Sequence, residues 1–221
     1  MMNQLFLTDK EVKENLFPFT LTRSAADIRV GILTIRGKWE ALLSKKIKLT
    51  EEENDIPTNS FILASNIIPS RRFVQSLMAD DGAFTHIPDR DDVKIIQYPW
   101  DIYAVNDWAI REDYEVITTG RKSQPLPASV QAIDAGNIFI EEGARLSHCV
   151  INASGGPVYI GRHAEIMEGS MIRGPVAICE GATVKMGARI YGATTIGPYS
   201  VAGGEIKNAV MFGYSNKGHD G

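Results

Sequence analysis

Long apolar runs are missing from this sequence. No stretch approaches the roughly eighteen consecutive apolar residues of a membrane-spanning helix, so no membrane span is expected. The opening Met1-Met2-Asn3-Gln4-Leu5 lacks a basic segment followed by an apolar one, and no secretory signal is read there. Cysteine is nearly absent: Cys149 and Cys179 are the only two, they lack metal-type spacing, and they read as thiols of a reducing compartment. A cytoplasmic location is expected. Excess basic charge is missing too. The formal net charge is -4, and residues 138–221 carry seven Lys/Arg against seven Asp/Glu. Neither half has the basic face that a nucleic-acid backbone requires, so nucleic acid is excluded as a partner, whereas a small anion needs only a few placed cations. Glycine is absent from Asp9 to Thr22, which removes the Gly-rich phosphate loop expected between a first strand and helix. His148, His163 and His219 show no close pairing, so no three-histidine zinc site is expected.

What is present is a repeat. Every sixth residue from Ile160 is a β-branched aliphatic: Ile160, Ile166, Ile172, Ile178, Val184, Ile190 and Ile196. Four residues after each comes a small or β-branched one: Ala164, Ser170, Val176, Ala182, Ala188, Thr194 and Ser200. A period of six fits neither an amphipathic helix nor a simple alternating strand. It fits a coil of short strands joined by tight corners, the large aliphatic pointing inward, with several coils stacked to bury a continuous column. Residues 138–221 hold roughly four and a half coils of eighteen residues. Ile140 and Leu146 keep the period two residues out of register, and the turn formers Asn152 to Pro157 are expected to absorb the offset. The ladder weakens after Ala202, where a bulge or outward loop is expected near Gly203-Gly204.

The N-terminal part alternates strand and helix signals. Leu5-Phe6-Leu7 reads as an opening strand, and Ser24 to Asp27 as a capping box. Ile28, Ile32, Ile35, Trp39 and Leu42, spaced by three and four, predict an amphipathic helix over 25–44. Lys45 to Asn59 reads as loop, Phe61 to Ala64 as a buried strand, Arg71 to Ala79 as a short helix and Val93 to Ile96 as a strand. The expected organisation is an α/β domain over 1–100, a connection with a helix over 101–137, and the β-helix over 138–221.

The segments Leu16-Phe17-Pro18-Phe19-Thr20, Arg23 to Ile35 (Arg-Ser-Ala-Ala-Asp-Ile-Arg-Val-Gly-Ile-Leu-Thr-Ile) and Lys38-Trp39-Glu40 resemble the opening of a bacterial sugar nucleotidyltransferase-like family. That family joins a divergent nucleotidyltransferase domain to a hexapeptide β-helix. Gly203-Gly204-Glu205-Ile206-Lys207-Asn208 and Gly213 to Gly221 match its later part. The resemblance implies a left-handed parallel β-helix and a homotrimer, and further coils beyond Gly221. The Gly-x-Gly-Thr-Arg loop followed by Pro-Lys that is usual in sugar nucleotidyltransferases is absent.

The β-helix half also resembles the acetyltransferase domain of the bifunctional enzymes that acetylate glucosamine-1-phosphate and then uridylylate it. That likeness implies acetyl-coenzyme A as acyl donor, Arg189, Lys207 and Asn208 as contacts to a sugar phosphate, and His219 as general base. If residues eighteen apart stack, Arg189 and Lys207 form a two-cation phosphate clamp. The leading expectation is acyl transfer to a sugar phosphate or nucleotide sugar. The alternatives are a nucleotidyltransferase-like binding or regulatory module without catalysis, and a purely structural scaffold.

Overall fold

Leu5, Phe6 and Leu7 are all buried, and a strand covered on both faces reads as a continuous apolar run. They form β1 (Gln4–Thr8), the central strand of a three-stranded parallel sheet between β2 (Lys48–Leu49) and β3 (Ser60–Ala64). The computed structural model describes residues 4–50, 57, 60–79 and 91–220. The chain divides into two compact units, 1–28 with 33–102, and 29–32 with 103–221.

In the first unit the sheet is joined by an antiparallel pair, β4 (Ile67–Pro69) and β5 (Val93–Ile95). Helix α1 (Ile35–Leu43) begins where the Thr34 hydroxyl accepts from the Gly37 amide at 3.1 Å. Its Trp39 is fully buried, donates to the Ile67 carbonyl at 3.1 Å and packs edge-on against Phe73. Phe73 belongs to α2 (Arg71–Ala79), the expected short helix, which buries Phe73, Val74 and Leu77. The β3 strand is present where expected but half-buried, as befits the outer strand of a small sheet. Two further expectations need correction. The expected loop over 45–59 contains β2, too short to show a period, while 51–56 and 58–59 lie outside the described residues. The helix over 25–44 is only half formed. Ala25–Asp27 is a single 3-10 turn capped by Ser24, and α-helix begins at Ile35.

The reason lies in the second unit, which holds residues 29–32. Gly31 has φ +76, and its amide donates to Asn106 Oδ1 at 2.7 Å. The Ile32 amide donates to Asp113 Oδ2 at 2.7 Å, and the Thr195 hydroxyl donates to the Gly31 carbonyl at 3.0 Å. Amides that a helix would use internally are taken by buried side chains remote in sequence. After a single turn, α3 (Asp101–Ala104), helix α4 (Asn106–Thr118) supplies Asn106 and Asp113.

The rest of this unit is a parallel β-solenoid of five turns, consistent with a left-handed β-helix. Its first face stacks β6 (Gln131–Ile133), β9 (Val150–Asn152), β12 (Met171–Arg173), β15 (Arg189–Tyr191) and β18 (Glu205–Lys207). The second stacks β7 (Ile138–Ile140), β10 (Val158–Ile160), β13 (Val176–Ile178), β16 (Thr194–Ile196) and β19 (Val210–Met211). The third stacks β8 (Arg145–Leu146), β11 (Glu165–Ile166), β14 (Thr183–Val184), β17 (Val201–Ala202) and β20 (Asn216–Lys217). Both ladders point inward: every member from Ile160 to Ser200 is buried. On the second face the outward Phe139 and Ala177 are buried as well, against Ile32, Ile110 and Tyr114.

Coil length follows the turns. Val158 pairs with Ile138, twenty residues back, so the Asn152–Pro157 turn absorbs two residues as expected. The next two coils measure eighteen. At Gly203-Gly204 the expected bulge is instead a contraction: Glu205 pairs with Arg189, only sixteen residues back, and Val210 with Thr195, fifteen back. Gly204 turns at φ +72, and a Cβ there would lie 2.6 Å from Asp220 Oδ1, so only glycine allows this short corner.

Candidate functional site

In an open parallel sheet, the carboxyl ends of the strands are where connecting loops diverge and leave a crevice. Here β1 is followed by a loop over 9–24 that lacks glycine and so cannot wrap an anion in a backbone nest. It folds instead as successive turns. The Val12 and Lys13 amides donate to the Asp9 carbonyl at 3.0 and 3.2 Å, Phe19 to Leu16 at 3.0 Å, and Leu21 to Pro18 at 3.2 Å. Buried Val12 and Leu16 pin the loop from within, and the Thr20 hydroxyl donates to the Lys13 carbonyl at 2.6 Å. Asp9 closes it: its carboxylate accepts from the Ser24 hydroxyl at 3.0 Å and the Ala25 amide at 3.2 Å.

The closed loop borders a cleft of about 360 Å³ at the carboxyl ends of β1 and β2, lined by Asp9, Lys13, Thr20, Thr22, Arg23 and Thr50 among others. Two cations and several hydroxyls around one carboxylate suit a phosphorylated polar ligand rather than an apolar one. Asp9 and Lys13 also border a second hollow, about 490 Å³, whose remaining lining, Lys10, Glu11, Glu14 and Asn15, is polar and exposed. At the carboxyl end of β3, the Ser65 hydroxyl is buried with no hydrogen-bond partner among the described residues. Little in the sequence marks this cleft. The only sequence signal was the glycine-free loop itself, together with Arg23 near the capping Ser24.

The solenoid places the other candidates differently from the eighteen-residue rule. Arg189 and Lys207 both project outward from the first face, on the adjacent strands β15 and β18. They are not stacked. The contracted corner shifts the register by two, so Arg189 lies beside Glu205 and Lys207 beside Tyr191. Arg189 is 3.5 Å from Glu205 and 3.2 Å from Asp220, and the Lys207 ammonium lies 5.6 Å above the Tyr191 ring. Asn208 sits at a corner with φ +48, where its Oδ1 accepts from the Ala193 amide at 3.2 Å. His219 is exposed, and its carbonyl accepts from Lys217 Nζ at 2.6 Å. Asp220, the neighbour of His219, thus pairs with Arg189, while Lys207 lies over Tyr191.

A third cluster had no sequence signal. Arg121 makes a two-pronged ion pair with Glu141 at 2.8 and 2.6 Å, and the Tyr159 hydroxyl donates to the same carboxylate at 3.0 Å. Burial, then the Glu141 charge, pushes the Tyr159 hydroxyl well above its ordinary range. Arg121 also lies over Phe139, which stacks on Tyr159. Every polar group here is satisfied by a neighbour, so the cluster is a clasp within the second unit.

Residues 5–79 match the model of a family described as sugar nucleotidyl transferase. No curated protein matches the chain. No helix among the described residues is long and apolar enough to cross a membrane.

Proposed function

We propose that the first unit of this chain is a nucleotidyltransferase-like module that binds a sugar phosphate or nucleotide sugar, with the phosphate received in the cleft at the carboxyl edge of its sheet. One coincidence carries the reading: the residues matched by the sugar nucleotidyl transferase model include β1, β2 and the whole loop over 9–24, and these border the cleft. Lys13 and Arg23 supply charge to the phosphate, Thr22 and Thr50 supply hydroxyls, and Asp9 holds the loop closed. Because the loop offers no glycine nest, the unit binds its ligand without turning over nucleoside triphosphates. Calorimetry with a nucleotide sugar such as uridine-diphosphate-N-acetylglucosamine tests this. Lys13→Ala and Arg23→Ala should each cost about 1.5–3 kcal/mol of binding, the range of one charge-assisted hydrogen bond. Metal-dependent release of pyrophosphate from triphosphates and sugar-1-phosphates should stay at blank. Absence of binding, or binding indifferent to both substitutions, overturns the reading.

A second reading assigns acyl transfer to the β-helix, assembled as a homotrimer, with acetyl-coenzyme A as donor. It is favoured by the outward projection of Arg189 and Lys207 on adjacent coils. A phosphate there must displace Glu205 and Asp220 from Arg189 before it can join Arg189 and Lys207. Arg189, Lys207 and Asn208 then hold the acceptor, and His219 takes its proton. Thiol release from acetyl-coenzyme A with amino-sugar phosphates tests it: His219→Ala should lower the rate constant about 10²–10⁴-fold, and turnover unchanged by that substitution refutes it. Light scattering decides the trimer.

A further inference from the structure

The first unit displays an aromatic pair that its own packing does not use. Tyr98 and Trp100 stack with ring centroids 4.8 Å apart and planes 17° apart, yet they are 41% and 56% exposed. Exposed tryptophan is uncommon, because leaving so much apolar surface in water forgoes its burial. The pair is also held rigidly. The Gln97 and Tyr98 amides both donate to Asp101 Oδ2, at 2.8 and 2.9 Å, and the Asp101 amide returns to the Tyr98 carbonyl at 3.0 Å. Pro99 fixes the backbone between the two rings.

Its place is set by the strands. The Ile96 amide donates to the Asn66 carbonyl at 3.1 Å and the Asn66 side chain donates back to the Ile96 carbonyl at 2.9 Å. Asn66 lies just past the carboxyl end of β3, and the Ser65 amide donates to the Thr8 carbonyl at 2.9 Å. The segment carrying Tyr98 and Trp100 therefore leaves the carboxyl edge of the same sheet, on the β3 side. The phosphate cleft opens on the β2 side, with β1 between them. The outer strands β2 and β3 lie two strand spacings, about 10 Å, apart, so both features open on one edge of one small sheet.

We propose that Tyr98 and Trp100 form the nucleobase platform of this site, the base stacking on the exposed aromatic pair while the diphosphate lies at Lys13 and Arg23. The inference rests on the cleft reading above and narrows its ligand class to nucleoside diphosphates and their sugar esters, with named residues for the base. A flat, parallel ring pair fits a planar base, which has a π-face whatever its edge pattern, and it leaves the identity of the base unread. The pair lies beyond the residues matched by the family model, which end at 79.

The test uses the full chain and four probes: uridine diphosphate, guanosine diphosphate, inorganic pyrophosphate and a hexose-1-phosphate. Both nucleoside diphosphates should quench tryptophan emission, and the quench should vanish in Trp100→Phe while binding by calorimetry persists. Trp100→Ala should weaken both nucleoside diphosphates about 5- to 150-fold and leave pyrophosphate unchanged. Nucleoside diphosphates that bind Trp100→Ala as tightly as the original chain overturn the platform and leave the cleft standing. A hexose-1-phosphate that quenches as strongly as the nucleoside diphosphates assigns a sugar ring to the pair and also overturns it. Failure of all four probes to bind removes the cleft reading, and the platform with it.

Discussion

Ile172→Asp probes the column on which the solenoid depends. Ile172 is 2% exposed and stacks between Ile151 and Ile190 on the strands to either side, both fully buried. Truncating a buried isoleucine costs about 2–5 kcal/mol through lost transfer and the cavity left behind. An aspartate adds an unpaired carboxylate with only aliphatic neighbours, which costs several kcal/mol more or forces the group to stay protonated. The sum, at least about 5 kcal/mol, is comparable to the whole stability of an ordinary domain. Urea unfolding followed by circular dichroism measures it. The control is one residue away: Met171 is 58% exposed on the outer side of the same strand, so Met171→Asp should stay within about 0.5 kcal/mol of the original chain. An Ile172→Asp chain that unfolds at the original midpoint, or a Met171→Asp chain equally damaged, refutes the assignment of the inward face.

Three further outcomes follow from particular contacts. Gly31→Ala forces a side chain into φ +76 with its Cβ 2.7 Å from the Ala109 backbone, so thermal melting should show a loss of about 2 kcal/mol or more; unchanged melting means residues 29–32 are not docked on α4. Ser65→Ala removes a buried hydroxyl without a partner and should raise the melting temperature, whereas a fall reveals a hydrogen bond to that hydroxyl. Burial pushes the Cys149 thiol up to about 11, so at pH 8 it is protonated and should react with a disulfide reagent far more slowly than after unfolding; only above about pH 11 does the folded thiol become mainly thiolate, and fast reaction at pH 8 contradicts the burial.

The β-helix was legible because each coil repeats the same demand. An aliphatic at Ile160 and at every sixth position after it is a pattern that only a stacked coil uses, and the two-residue offset before Asn152 pointed correctly to an enlarged turn. Elements whose cause is local, such as α2 and β1, were equally clear. What stayed hidden depends on distant partners. The broken helix over 25–44 follows from Asn106 and Asp113, some eighty residues away, which capture the amides of Gly31 and Ile32. The shift that separates Arg189 from Lys207 arises from two glycines that shorten a corner, and the same dipeptide can as easily open a loop. The cleft was hidden for a related reason: a loop without glycine looks empty of phosphate chemistry until its turns bring Asp9, Lys13 and Arg23 to one edge of the sheet.

Backbone amide shifts of the nitrogen-15-labelled chain, recorded while uridine-diphosphate-N-acetylglucosamine is titrated in, test the central claim most directly. Ligand at the carboxyl edge of the first unit's sheet should move the amides of residues 9–24 and 49–50, and leave those of β15 and β18 in place. Saturating ligand that shifts β15 and β18 alone, or that moves no amide in the loop after β1, contradicts it.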